Sequence, residues 1–188
     1  MMPELSRRSG FTLAEILLVV VILGILTSMV TPVFSPGRWR ADSAVQELTL
    51  GLNAAQRLAV LRQHDVVVRF LLSDRLVRIH QDEDNDGTED DGEDTRVIEL
   101  PETVGFGLGT APALPEGAPP VSFPVRGGHP TLIFHRNGSA NATGAVYLRP
   151  MEGSLSGASE AVRALTVERA TGEVRCHSYR TGTWEGIC

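Results

Sequence analysis

The sequence predicts an α+β fold in which a long amino-terminal helix precedes an antiparallel β-sheet. Residues 11–30 are almost continuously apolar, and residues 41–63 carry apolar side chains at three- and four-residue spacing, which is the helical period. From residue 65 the pattern changes to short runs rich in β-branched residues, separated by Gly, Pro and Asn, which favour strands joined by turns. The 188 residues leave enough chain beyond the apolar run for one globular domain.

The apolar run from Phe11 to Val30 is long enough to cross a membrane. At about 1.5 Å per residue a helix of this length reaches roughly 30 Å, the thickness of the hydrocarbon core. A cleaved secretory signal is the alternative, but its apolar centre usually has about 7–15 residues and ends in a small-x-small site. Arg7 and Arg8 precede the run, so the positive-inside tendency keeps this end in the cytoplasm and predicts export of the remainder.

Glu15 is the acid inside this run. A carboxylate costs roughly 2.5–3.5 kcal/mol at the centre of a membrane helix and less near its end, so an acid there is expected to need a partner. This feature argues against an ordinary secretory signal.

Residues 10–16, Gly-Phe-Thr-Leu-Ala-Glu-Ile, resemble the class III signal of type IV pilins and type II secretion pseudopilins. The resemblance implies that a prepilin peptidase, which is also the N-methyltransferase, cuts between Gly10 and Phe11 and methylates Phe11. It assigns Glu15 to filament assembly, where we hypothesise that the amino group of Phe11 on a neighbouring subunit neutralises its carboxylate. Pro32 falls where these helices commonly carry a kink.

The resemblance also implies a domain plan and a location. Residues 1–10 are a leader, 11–31 a single-pass helix in the bacterial inner membrane, 32–64 a kinked amphipathic continuation, and 65–188 a periplasmic β-rich head. The amino terminus is cytoplasmic before cleavage. The implied partners are the prepilin peptidase, other major and minor pilins or pseudopilins, and the inner-membrane assembly platform.

The second helical stretch is amphipathic. Pro32 and the pair Pro36-Gly37 predict a kink or a loosened turn, because proline removes a backbone donor and clashes with the preceding turn. The helical pattern resumes at Ala41 and continues to about Gln63. One face is predicted to be buried against a sheet and carries Val45, Leu48, Leu52, Ala55 and Ala59.

The remaining chain predicts strands and one long loop. A hairpin is expected over 66–72 and 76–80, and further strands over 96–100, 121–125, 131–135, 145–148, 162–169 and 173–178. Residues 105–120 are rich in proline and glycine and predict a loop. This order of elements resembles the GspH/FimT branch of minor pilins and pseudopilins, which implies a two-sheet, pilin-like head.

Residues 81–94, the acidic loop, fit the spacing D-x-D-x-D-G-x₅-E of a calcium-binding loop. Alternate oxygens converge on one centre, the glycine permits a sharp turn, and calcium prefers such hard oxygen donors. Glu89 departs from the pattern, which usually has an apolar residue there, and the flanks predict strands instead of helices. A solvated acidic hairpin is the alternative. The predicted ligands are Asp82, Asp84, Asp86, Thr88 and Glu93.

Cys176 and Cys188, the two cysteines, are predicted to form a disulfide, because the exported domain lies in an oxidising compartment. Two free thiols are the alternative. The bridge would contribute about 3 kcal/mol by the chain-entropy relation.

The sequence contains no recognisable catalytic pattern. The histidines lack zinc-type spacing, there is no Cys-x-x-Cys, and neither a nucleophile elbow nor a phosphate-cradling loop occurs, so we predict no enzyme. The net charge of -6 disfavours a general nucleic-acid binder. Some FimT-like pilins bind DNA through a Gly-Arg-x-Arg motif, where this chain has Gly-Glu-Val-Arg at 172–175. A weaker alternative is therefore a basic patch formed by Arg163, Arg169, Arg175 and Arg180.

We therefore predict a minor pseudopilin of a type II secretion pseudopilus or a related filament. The first alternative is a FimT-like minor pilin for DNA uptake or adhesion. A solitary membrane-tethered calcium-binding module is the second, and it predicts no cleavage after Gly10.

Overall fold

The computed structural model describes residues 12–30, 36–151 and 161–186. The described residues form two helices and ten strands, and the chain divides at Pro36 into two compact units. The elements are α1 Leu13–Val30, α2 Pro36–Arg62, β1 Asp65–Leu71, β2 Leu76–Asp82, β3 Thr95–Glu99, β4 Val104–Phe106, β5 Val125–Arg126, β6 His129–Phe134, β7 Gly144–Pro150, β8 Arg163–Val167, β9 Val174–Arg180 and β10 Thr183–Gly186.

Helix α1 begins with a side-chain cap. The hydroxyl of Thr12 accepts a hydrogen bond from the backbone N–H of Glu15 at 3.3 Å, which satisfies one of the amides that a helix start leaves free. Glu15 lies in the first turn, where a carboxylate is favourable to the helix dipole. The side chains of residues 12–27 are exposed.

Among the described residues, no helix is long and apolar enough to cross a membrane. The predicted membrane helix over 11–31 remains a prediction. The leader, the cleavage site at Gly10 and Phe11, and the kink at Pro32 lie outside the described residues.

Helix α2 begins at Pro36, five residues before the predicted resumption at Ala41. Proline fits the first turn of a helix, because its missing N–H has no partner there and its φ is already helical. The pair at 36–37 therefore starts this helix and does not loosen it. The predicted buried stripe is confirmed, since each of its members is at most 2% exposed: Val45, Leu48, Leu52, Ala55 and Ala59.

The head contains two five-stranded antiparallel sheets. Sheet A has the strand order β3-β2-β1-β6-β5, and sheet B has the strand order β10-β9-β8-β7-β4. Helix α2 contacts both sheets, and one apolar cluster joins its buried stripe to both. That cluster includes Phe70 and Phe134 from sheet A and Leu148 and Leu165 from sheet B. The predicted α+β, two-sheet architecture is confirmed.

The sheets also have outer faces, and each is covered by a loop. On sheet B, residues 107–120, which we call the proline loop, pack Leu108 and Leu114 over the buried residues Ala145, Tyr147 and Ala164. On sheet A, the acidic loop folds back over β1 and β2, as described below.

Most predicted strands occur, with three corrections. Residues 121–125 are not a strand, because only an isolated bridge at Val121 and the two-residue β5 lie in or beside that range. Strand β4 was missed because the region reads as a glycine-rich loop. Strand β10 was missed because Thr183–Gly186 is short and largely exposed, so it shows no apolar alternation.

Cys176 is disulfide-bonded and 5% exposed. Its predicted partner, Cys188, lies outside the described residues.

Candidate functional site

The acidic loop is attached to sheet A through a pair of arginines. Arg69 on β1 and Arg78 on β2 are direct cross-strand partners, and like charges in that position repel each other. Glu89 lies between them, with its carboxylate 3.6 Å from Arg69 Nη1 and 3.2 Å from Arg78 Nη1. Arg69 also donates to the carbonyl of Gly87 at 2.9 Å. Glu89 therefore offsets part of the positive charge of the pair and holds the loop on the sheet.

This contact gives the residue that departs from the calcium pattern a structural role. This role of Glu89 was not among the predictions made from the sequence. The predicted hairpin did not reveal it, because strands over 66–72 and 76–80 pair Arg69 with Ile79, whereas the observed turn over 72–75 pairs it with Arg78.

Three of the predicted ligands lie together at the start of the acidic loop. Asp82, Asp84 and Asp86 each place a carboxylate oxygen within 4.8 Å of the others. Asp82 ends β2 and is 2% exposed, whereas the other two are exposed. Its oxygens accept hydrogen bonds from the backbone of Asp86 at 3.0 Å and of Gly87 at 2.9 Å. Gly87 has φ +83°, a conformation that favours glycine.

The other two predicted ligands form hydrogen bonds within the acidic loop. The carboxylate of Glu93 accepts hydrogen bonds from the backbone N–H groups of Glu83 at 2.9 Å and Asp90 at 3.1 Å, so it closes the loop on itself. Thr88 donates its backbone N–H to Asp86 Oδ1 at 2.6 Å, and its hydroxyl bonds the same oxygen. The structure thus assembles the three alternating aspartates and leaves Glu93 outside their cluster.

The pKa values of carboxylates in the acidic loop shift in different directions. Burial raises the pKa of Asp82 above its ordinary value, against the lowering effect of its two backbone hydrogen bonds. The hydrogen bonds from Thr88 lower the pKa of Asp86. The negative charge of Asp86 in turn raises the pKa of Asp90. The cluster therefore concentrates negative charge that one hard divalent cation can offset in large part by direct coordination.

His80 lies on β2 two residues before Asp82 and is fully buried. Among the described residues, neither of its ring nitrogens has a hydrogen-bond partner, and burial, followed by the charge of Arg69, lowers its pKa. His80 is therefore a neutral imidazole in the interior of the loop-covered face.

One member of the predicted basic patch is not on the surface, and the interpretation of Arg163 as a nucleic-acid contact is wrong. Arg163 is 1% exposed, and its Nε donates to Asp42 Oδ1 at 2.5 Å. A second bond joins its Nη1 to the carbonyl of Val162 at 3.0 Å. The residue connects α2 to β8 inside the head, because a buried guanidinium needs such partners.

The other three arginines are exposed but do not form a patch. Arg175 donates two hydrogen bonds to Glu173, at 3.0 and 2.8 Å, so the acid of the Gly-Glu-Val-Arg segment neutralises it. Arg180 is five residues along the same strand, about 17 Å away at 3.3 Å per residue, and lies on the opposite face. Arg169 belongs to the β8–β9 turn.

Two family models match the chain. A prokaryotic N-terminal methylation motif matches residues 5–31, and type II transport protein GspH matches residues 44–171, well over half of the chain. No curated protein sequence matches significantly.

Solved structures of the minor pseudopilin EpsH from the type II secretion system of Vibrio cholerae are similar to the chain. One is 17% identical with a TM-score of 0.49 and covers 74% of this chain and 97% of its own. Another is 16% identical with a TM-score of 0.46 and covers 74% and 94%.

Proposed function

The chain belongs to the type II transport protein GspH family, the minor pseudopilins of the type II secretion system, and we propose that its head projects from a filament that supports protein export across the outer membrane. The observation that carries the proposal is the match of residues 44–171, which includes most of α2 and strands β1 to β8. Members of this family are structural subunits. The work of such a chain is therefore assembly and surface recognition.

The amino-terminal motif supports a processing step. We propose that a prepilin peptidase cuts after Gly10 and methylates Phe11, since the methylation motif matches residues 5–31. The segment over 11–31 then anchors the chain in the bacterial inner membrane, with the head in the periplasm. In that anchored chain the Thr12 cap and the acid at Glu15 occupy the first turn of the mature helix.

Glu15 is the proposed assembly residue. A carboxylate in an apolar environment is unfavourable unless a positive group pairs with it. The new amino group of Phe11 on a neighbouring subunit can supply that charge, which would make assembly favourable and set the axial register. The proposal predicts that Glu15→Ala is inserted and cleaved normally but is absent from filaments.

We also propose that the acidic loop binds calcium through Asp82, Asp84 and Asp86. The convergence of their oxygens, the glycine turn at Gly87 and the preference of calcium for carboxylates support it. Thr88, through its backbone carbonyl, and Glu93, through its carboxylate, are the remaining proposed ligands. Calcium would order the loop after export.

A clean deletion in the host organism tests the function. Secreted proteins in the medium and DNA uptake are scored in parallel, with complementation by wild type and by Glu15→Ala. We expect loss of secretion with normal DNA uptake, restored by the wild type alone. Normal secretion with loss of DNA uptake would contradict the proposal and would indicate a pilus subunit instead.

A further inference from the structure

We propose that a cleft at the end of the two sheets binds a carboxylate group of a neighbouring protein. The arginine cleft, as we call it, has a volume of about 650 Å³ and lies where the β6–β7 and β8–β9 turns meet the β5–β6 hairpin. Its lining includes Arg126, His135, Asn141, Thr143, Glu168 and Arg169.

The floor of this cleft is fixed by hydrogen bonds between the two turns. The backbone N–H of Ala140 donates to the carbonyl of Arg169 at 2.8 Å, and the N–H of Arg169 donates to the Thr143 hydroxyl at 3.1 Å. From α2, the side-chain amide of Gln56 donates to the carbonyls of Gly138 at 2.9 Å and Thr171 at 2.7 Å. The cleft is therefore built before any ligand arrives, which lowers the entropy cost of binding.

Gly172 shows how closely the turns approach each other. A Cβ at this position would lie 2.2 Å from the carbonyl oxygen of Gly138, and its φ is +66°. Only glycine satisfies both conditions without displacing the turns. Glycine at this position therefore allows the two turns beside the cleft to pack closely.

Two cations of the lining are available to a ligand. Among the residues that the structure describes, neither Arg126 nor Arg169 forms an ion pair or a side-chain hydrogen bond. His135, by contrast, is paired with Asp65 at 2.8 Å. A guanidinium presents a planar set of N–H donors that matches the two oxygens of a carboxylate.

The charge of the lining selects a ligand with a single negative charge. Glu168 also borders the cleft, and the Thr143 hydroxyl donates to it at 3.4 Å. With the His135–Asp65 pair set aside, two guanidinium groups and one carboxylate leave a surplus of one positive charge. One carboxylate balances that surplus. A nucleic-acid backbone, which carries many negative charges, would be repelled by Glu168 and by the net charge of -6 of the chain. The assignment of the ligand to a protein segment rests on the proposed function, in which the head faces other subunits and exported proteins.

Binding is measured on the full chain in detergent by NMR of the arginine Nε–Hε groups. The probe is the blocked peptide acetyl-Gly-Glu-Gly-amide, and acetyl-Gly-Gln-Gly-amide is its neutral match. We expect the Arg126 and Arg169 resonances to shift with the glutamate peptide alone. Arg126→Gln and Arg169→Gln should each weaken binding about threefold or more, since each removes one charge-assisted contact.

Arg180→Gln is the control for general electrostatics, because it removes the same charge outside the cleft. Equal shifts with both peptides, or equal weakening by Arg180→Gln, would overturn the proposal. Preferential binding of a DNA duplex through Arg126 and Arg169 would also overturn it. Thermal melting of each variant checks that the head is folded. The peptide assay does not depend on secretion, so a negative peptide result would not contradict the proposed function. A deletion strain with normal secretion would likewise not contradict carboxylate binding by the cleft.

A photo-crosslinking residue at Ser139, which lines the cleft, shows in cells whether the bound carboxylate belongs to another filament subunit or to an exported protein. The proposal expects an adduct with another filament subunit or with an exported protein, and it expects the adduct to disappear when Arg126 and Arg169 are both replaced by Gln. An adduct that survives the double replacement would contradict it.

Discussion

The outer faces of the two sheets are covered by loops of opposite chemistry. The acidic loop is held on sheet A by charge, mainly through Glu89 between Arg69 and Arg78. The proline loop is held on sheet B by neutral groups. The Tyr147 hydroxyl donates to the carbonyl of Gly117 and accepts from the N–H of Leu114, both at 2.8 Å.

The difference shows how composition decides whether a covering loop is part of the core. Tyr147 is fully buried, and the indole N–H of Trp184 donates to the carbonyl of Pro112 at 2.9 Å, so the proline loop completes a second apolar cluster. The ion pairs of Glu89 are partly exposed and screened by solvent. We therefore expect the proline loop to unfold with the head and the acidic loop to respond to salt and cations.

The largest effect is expected from Tyr147→Phe. The substitution removes one hydroxyl that serves as donor and acceptor, and it leaves the N–H of Leu114 and the carbonyl of Gly117 unsatisfied under the loop. Two lost, partly buried hydrogen bonds lower the free energy of unfolding by about 2 kcal/mol. Urea unfolding of the wild type and the variant measures this loss of stability. Tyr179→Phe is the matched control and should cost less than about 1 kcal/mol; equal losses would contradict the comparison.

The same tyrosine predicts a response to alkaline pH. Burial raises the pKa of Tyr147 above 10.0, and the charge of Glu116 adds to the shift. A raised folded-state pKa means that its stabilising contribution is complete below about pH 10 and is lost as the pH rises through the folded-state value. Unfolding experiments between pH 9 and 11 should show a loss of stability that is smaller in Tyr147→Phe. An identical loss in both proteins would refute this assignment.

Calcium is expected to stabilise the head through the acidic loop alone. At tenfold excess over its dissociation constant, a cation that binds only the folded state adds about 1.4 kcal/mol, and the melting temperature of the full chain in detergent should rise by a few degrees. Asp84→Asn should abolish the rise. Asp91→Asn removes the same charge outside the cluster and should retain it. A rise that persists in Asp84→Asn would show that calcium acts elsewhere.

The smallest effect is expected from Glu89→Gln. Partly exposed ion pairs contribute less than about 1 kcal/mol, and salt reduces the contribution further. The variant should lose stability at low salt and approach the wild type at high salt, measured by urea unfolding at both. Glu83→Gln has the same charge change without an arginine contact and should show no such loss. A salt-independent loss in Glu89→Gln would mean that packing, not charge, holds the loop.

The helices and the hairpin could be predicted because their patterns are local. The α2 stripe repeats with the helical period, and the β1–β2 hairpin follows from a short turn between β-branched runs. Strands β4 and β10 could not be predicted, because their pairing partners, and not their own composition, make them strands. The start of α2 at Pro36 was misread because proline either breaks or begins a helix according to what precedes it.

The candidate sites likewise include features that a local sequence pattern predicts and features that depend on distant residues. The spacing of Asp82, Asp84 and Asp86 predicted their convergence, since alternate residues of a tight loop face one centre. The burial of Arg163 depends on Asp42, which lies 121 positions away in the sequence, and no local pattern reveals such a pair. The arginine cleft likewise combines two distant turns with the β5–β6 hairpin, so only the folded chain shows it.

The most direct test of the proposed function is whether the protein enters a filament. Filaments sheared from cells are collected and probed for the wild type and for Glu15→Ala, and the membrane fraction serves as the control for insertion and cleavage. The account predicts wild type in both fractions and Glu15→Ala in the membrane fraction alone, cleaved after Gly10. Wild type that is absent from filaments, or Glu15→Ala that is incorporated normally, would contradict it.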